Sequence, residues 1–155
     1  MRFIPTLAAL MLGSGALAGG QHAGHHAYSF GEPGKAAEAS RTITVEANDQ
    51  MRFVHEPFEI KQGETVRFEV RNSGKVRHEF SIGDAASQRA HALMMKKMPD
   101  MKHDDDPSAV TLEPGESKTL VWKFSKAIPA GHVLFACQIP GHFEAGMHSK
   151  VKLSK

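Results

Sequence analysis

Cys137, His142 and Met147 follow one another at equal five-residue steps in Cys-Gln-Ile-Pro-Gly-His-Phe-Glu-Ala-Gly-Met, and Cys137 is the only cysteine of the chain. A thiolate and an imidazole bind copper strongly, while a thioether adds a weak axial contact that suits Cu(I) without excluding Cu(II). The three residues therefore read as most of a type 1 copper site that still needs a second imidazole. Zinc fills four strong positions with Cys, His or carboxylate, and thioether is not among its usual ligands. Iron–sulfur clusters are held mainly by several cysteines. Met singly, such residues are usually a buried structural Cys, a surface His and a core Met; three of them in one short Pro/Gly segment favour a metal.

No regular element can aim all three at one point. Residues five apart point to opposite faces of a strand and lie about 140° apart around a helix. The segment must be a folded loop, and Pro140, Gly141 and Gly146 let a backbone turn back on itself. Its flanks read as strands: Val133 to Ala136 before it and His148 to Leu153 after it, where Val151 and Leu153 alternate with Lys150 and Lys152.

The start of the chain sets the expected compartment. Met1-Arg2, an apolar run from Phe3 to Leu12 and then Gly13-Ser14-Gly15-Ala16-Leu17-Ala18 match a secretory signal peptide with an Ala-x-Ala cleavage site. Residues 1–18 are read so, which predicts a soluble periplasmic or extracellular protein; no later segment approaches twenty apolar residues, so no membrane span is expected. A lone thiol in an oxidising compartment has no internal disulfide partner, and metal ligation commits it. The formal net charge of +2 falls to +1 without Arg2, and nothing in that balance points to nucleic acid.

The 137 residues after Ala18 suit one domain. Residues 19–40, rich in Gly, Ala, His and Ser, read as a mobile leader carrying no core, with His22, His25 and His26 as weak metal-binding candidates. The domain is expected over residues 41–155. Alternating or apolar runs at Thr42–Val45, Arg52–Val54, Phe58–Ile60, Thr65–Val70, Val76–Ile82, Val110–Leu112 and Lys118–Phe124 add to the two late strands, separated by turn signals. An all-β, antiparallel-rich Greek-key sandwich is the natural reading.

The strand pattern lapses over an insertion at residues 84–108. Asp84 is placed to cap a helix from about Ala85 to Met98, ended by Pro99. On it His91, Met94 and Met98 share one face; Met95, Met101 and His103 are close in sequence. Methionine is a good flexible filler, so this face reads as packing onto the sandwich. Thioethers and imidazoles also select Cu(I), so beside that first reading the segment is a candidate for extra, weaker copper sites.

These residues resemble the cupredoxins, the small type 1 copper electron carriers, over about Arg41 to Lys155. The likeness is carried by Lys61-Gln62-Gly63-Glu64-Thr65-Val66-Arg67-Phe68, by His78-Glu79-Phe80, and by Cys137 to His142 with Met147. The resemblance implies one histidine from an upstream strand end and three ligands from the loop joining the last two strands. That assigns His78, Cys137, His142 and Met147 as the ligands. The His-rich leader with Ala27-Tyr28-Ser29-Phe30-Gly31, and the Met/His insertion, resemble periplasmic cupredoxins associated with bacterial copper tolerance. Two departures stand out. Many cupredoxins place Asn or Ser after the first histidine ligand, tying the two ligand loops together, where Glu79 stands here. The Cys-to-His gap of four residues is longer than the two of plastocyanin-like proteins, a difference that bears on the copper geometry and leaves the colour, blue or green, open.

The expected function is periplasmic single-electron transfer by Cu(I)/Cu(II) cycling, linked to copper tolerance, with a redox partner docking near His142 and no enzymatic activity. A monomer is expected. The alternative is a copper-handling protein that sequesters or passes Cu(I) through the insertion as well. An oxidase or nitrite reductase fragment would need further histidine clusters for a catalytic copper. His55, His132 and His148 are read as surface or hydrogen-bonded histidines.

Overall fold

The computed structural model describes residues 28–103 and 105–155. The segment read as a signal peptide and the leader histidines His22, His25 and His26 lie outside the described residues. The strand readings follow from side-chain alternation. In β2 (Arg41–Asn48) Ile43, Val45 and Ala47 are buried while Thr42, Thr44 and Glu46 face outward. The same period sends Val66, Phe68 and Val70 of β5 (Thr65–Asn72) and Leu120 and Trp122 of β8 (Ser117–Lys123) into the core.

One five-stranded sheet is ordered β1 (Glu32–Pro33), β8, β5, β2, β3 (Arg52–Val54). The other is ordered β4 (Ile60–Lys61), β10 (His148–Ser154), β9 (His132–Ala136), β6 (His78–Gly83), β7 (Ala109–Leu112). The pairs β2–β5 and β4–β10 are parallel and the others antiparallel. The all-β sandwich with a helical insertion is as expected. The run Phe58–Ile60 contributes only Ile60 to a strand.

The sheets close on an aromatic core. Phe80 stacks on Phe135 with ring centroids 5.1 Å apart, Phe68 meets Phe135 at 5.2 Å, and Phe53 meets Phe80 edge-on at 5.3 Å. All six residues of β6 are buried, because the insertion helix covers its outer side. That helix, α1 (Ala85–Lys97), begins where the sequence places it: Asp84 accepts from the N–H groups of Ala86 and Ser87, and the Ser87 hydroxyl accepts from Asp84 N–H. Its buried residues are Gln88 and Met95; Met98 is exposed, so the face expected to pack is rotated.

The expected leader needs correction. Residues 28–40 are part of the domain: Phe30 is 2 % exposed, stacks on Trp122 at 5.1 Å, and Tyr28 meets the same indole edge-on at 4.9 Å. β1 then adds to the edge of the first sheet against β8. Gly31, at φ +143°, permits the approach, since a Cβ there would stand 2.5 Å from the indole nitrogen. Burying a Phe–Trp stack stabilises a segment whose average composition is polar and small.

Candidate metal centre

Strand register brings the expected ligands to one end of the second sheet. Ser81 of β6 pairs with Ala136 of β9, and Ala136 pairs in turn with His148 of β10. His78 at the start of β6, Cys137 just after β9 and Met147 just before β10 therefore share that end. Cys137 N–H donates to the Met147 carbonyl at 3.0 Å and closes the base of the loop. Inside it, Met147 N–H donates to His142 C=O at 3.0 Å and His142 N–H to Ile139 C=O at 3.0 Å. Gly141 and Gly146 take positive φ, as the expected folded loop requires. Arg52 of β3 donates to Ala145 C=O at 2.8 Å and pins the loop's far side.

His78 is set by the turn before it. The wholly buried Asn72 donates to Val76 C=O at 2.7 Å and Leu112 C=O at 3.1 Å, and accepts from Gly74 N–H at 2.9 Å. Asp49 accepts from Lys75 N–H at 2.8 Å and lies 3.4 Å from His78 Nε2. Neither Asn72 nor Asp49 is marked by any pattern in the sequence.

The result is a buried cluster. His78, Cys137 and His142 each offer one ligand atom, and these atoms lie within 4.8 Å of one another. Cys137 Sγ is 3.3 Å from His142 Nδ1, and the rings of His78 and His142 are 5.2 Å apart. His78, Cys137 and Met147 are fully buried; His142 is half-buried. Both ring nitrogens of His78 are buried without a hydrogen bond, although Nε2 is within ion-pair distance of Asp49. A buried polar nitrogen left so is costly, and a metal would satisfy it. Burial pushes the Cys137 thiol up to about 12, with the nearby Glu79 carboxylate adding to the effect. Burial also lowers the pKa of His78 and of His142, which favours the neutral imidazoles that ligate metals.

The loop tie that Glu79 put in doubt is present. Glu79 N–H donates to Cys137 Sγ at 3.3 Å, and its Oε1 accepts from Gln138 N–H at 3.3 Å. The other carboxylate oxygen turns towards the insertion, where Oε2 is 2.8 Å from His103 Nε2 and 3.4 Å from His91 Nε2. Burial alone would raise the Glu79 pKa, but the contacts with His103 and His91 outweigh it and hold the carboxyl at about 2. His91 and His103 thus gather around Glu79, an arrangement that their grouping with the methionines missed.

The chain matches the model of the copper binding proteins of the plastocyanin/azurin family over residues 39–154. The chain belongs to this family. Copper is accordingly its cofactor, and the His78–Cys137–His142 cluster of this cupredoxin is compatible with a type 1 site. It is 50 % identical over 137 residues to the "copper-resistant cuproprotein CopI" of Rubrivivax gelatinosus, covering 86 % of this chain and 81 % of that one. The protein of the same name from Pseudomonas aeruginosa is 40 % identical over 151 residues, covering 79 % and 81 %. Among solved structures, reduced auracyanin from Roseiflexus castenholzii superposes with a TM-score of 0.62 at 20 % identity, over 76 % of this chain and 99 % of that one, and supports the fold.

Proposed function

We propose that this cupredoxin is a periplasmic single-electron carrier linked to copper tolerance, whose copper is held by His78, Cys137, His142 and Met147. The observation that carries the reading is the convergence, within 4.8 Å, of ligand atoms from two segments 59 residues apart in a buried pocket. The relatives named as copper-resistant cuproproteins support the link to tolerance, and the apolar start of the chain supports export. Among the described residues no helix is long and apolar enough to cross a membrane.

Copper bound here supplies a one-electron couple. The chain's own part is to keep the ligand geometry the same in both oxidation states, so that little rearranges when the charge changes. The closed loop hydrogen bonds, the Asn72 turn and the Glu79 N–H to Sγ bond serve that rigidity. His78, Cys137 and Met147 are sealed off, whereas His142 is half-buried beside the exposed Pro140 and half-buried Phe143. The His142 edge is therefore the route for electrons to a partner docking briefly on that surface. A centre enclosed in this way offers no substrate position, which supports a non-catalytic role.

The test is a visible and EPR spectrum of the purified protein with one equivalent of Cu(II), compared with Cys137→Ser. Intense thiolate-to-copper absorption that vanishes in the variant is expected. Its absence from the wild type would overturn the ligand assignment.

A further inference from the structure

We propose that Glu79, His91 and His103 form a second metal site, for a divalent first-row cation, distinct from the thiolate centre. The three come from separate elements: Glu79 from β6, His91 from α1, and His103 from the segment after the helix. Their facing atoms make a small triangle. Glu79 Oε2 is 2.8 Å from His103 Nε2 and 3.4 Å from His91 Nε2, and the two Nε2 atoms are 3.0 Å apart. A point about 1 Å off the plane of those atoms lies about 2.0–2.1 Å from all three, the usual metal–nitrogen and metal–oxygen bond length.

The surroundings suit an ion. Glu79 is fully buried, and its Oε2 has no hydrogen bond despite the two close nitrogens. A buried carboxylate needs a compensating charge, and a cation shared with the two facing imidazoles supplies it. The rings are held in place by the fold: His103 N–H donates to the Thr111 hydroxyl at 3.0 Å, and the His91 and His103 rings meet edge-on at 4.6 Å. A cleft of about 240 Å³, lined in part by Tyr28, Gln88, His91 and Met94, lies against His91.

The donor chemistry selects the class of ion. Two imidazoles and a carboxylate, with no sulfur among them, favour a divalent ion over Cu(I), and among first-row divalent ions Cu(II) binds nitrogen and oxygen sites most tightly. The bland alternative is a Glu–His ion pair that shares a proton and holds no metal.

The probe is Cu(II) alone, added to the full chain carrying His22→Ala, His25→Ala and His26→Ala so that the leader histidines do not contribute. Two coppers per chain are expected after dialysis, one giving thiolate absorption and the other an EPR signal of nitrogen and oxygen ligation without it. His91→Ala replaces a side chain that is 13 % exposed on a helix and should preserve the fold. It should weaken the second copper by at least about 100-fold, because losing a ligand costs more than the 10–100-fold typical of losing a ligand's outer partner. His103→Gln should do the same, with the thiolate absorption per chain unchanged in both. A single copper in the parent, or two equally tight coppers in both variants, overturns the proposal. Loss of thiolate absorption with the second signal intact would instead defeat the Cys137 assignment and leave this one standing.

Discussion

Burial of Cys137 predicts a steep pH dependence of copper affinity. The metal-free thiol titrates at about 12, with burial the larger cause and Glu79 the next. At pH 7 it is about five pH units short of ionising, which costs about 7 kcal/mol at 1.36 kcal/mol per unit. An ordinary thiol with the reference value of 9.0 would cost about 3 kcal/mol. Metal ligation needs the thiolate, so in the proposed site each copper bound must release one proton from Sγ. Affinity should therefore rise about tenfold per pH unit from pH 7 to pH 10. His78 and His142 add nothing there, since burial moves both below the ordinary imidazole value of 6.5 and they are already neutral. The measurement is competition against a chelator of known pH behaviour at pH 7, 8 and 9, with proton release read by calorimetry in two buffers. A flat affinity over that range would show that the thiol is ionised in the metal-free protein, and the argument from burial would fail. The same shift bears on stability: the contribution of the neutral thiol is complete below pH 9 and is lost as pH rises through about 12, so the metal-free fold should weaken above pH 9.

Phe30→Ala should destabilise the metal-free protein by about 3–5 kcal/mol in urea unfolding, because it empties the stack on Trp122; a loss under about 1 kcal/mol would return residues 28–40 to a leader role. Gly146→Ala places a Cβ 2.5 Å from Arg52 Nη1 at φ +103° and should shift the thiolate–copper absorption. Gly141→Ala, at φ +89° with no atom within 4 Å of the added Cβ, strains only the backbone and should shift it less; equal shifts would remove Arg52 from the account. Asp84→Ala should cost about 1 kcal/mol by removing the cap of α1, with reduced helical circular dichroism; no change would mean that packing alone sets the helix start.

The loop was legible because its information is local: three ligand types at fixed spacing, with Pro140, Gly141 and Gly146 to turn the chain, all within eleven residues. The strands were legible for the same reason, each carrying its own alternation. His78 was not, since a histidine before an apolar run has no signature of its own and only the resemblance singled it out. Tyr28 and Phe30 were hidden by averaging over residues 19–40, because two aromatic rings among Gly, Ala and His do not register as core until Trp122 is beside them. Asn72 and Asp49 act through backbone groups of a turn, and any loop contains such residues.

Glu79 shows why reading a motif position by residue type alone misleads. An Asn or Ser after the first histidine is expected to tie the ligand loops, and a Glu there reads as a loss. Yet the contact to Sγ uses the backbone N–H, which any residue but proline supplies, and the carboxylate Oε1 takes over the remaining tie by accepting from Gln138 N–H. What the substitution adds is a second oxygen, buried and turned away from the thiolate towards His91 and His103. A neutral side chain there would need no such partners, whereas a buried carboxylate requires compensation, which the two imidazoles supply directly or through a shared cation. The insertion helix that carries His91 packs against β6, the strand that carries Glu79. Charge at position 79 and histidines in the insertion are thus one structural arrangement, anchored through a single backbone amide to the Cys137 sulfur.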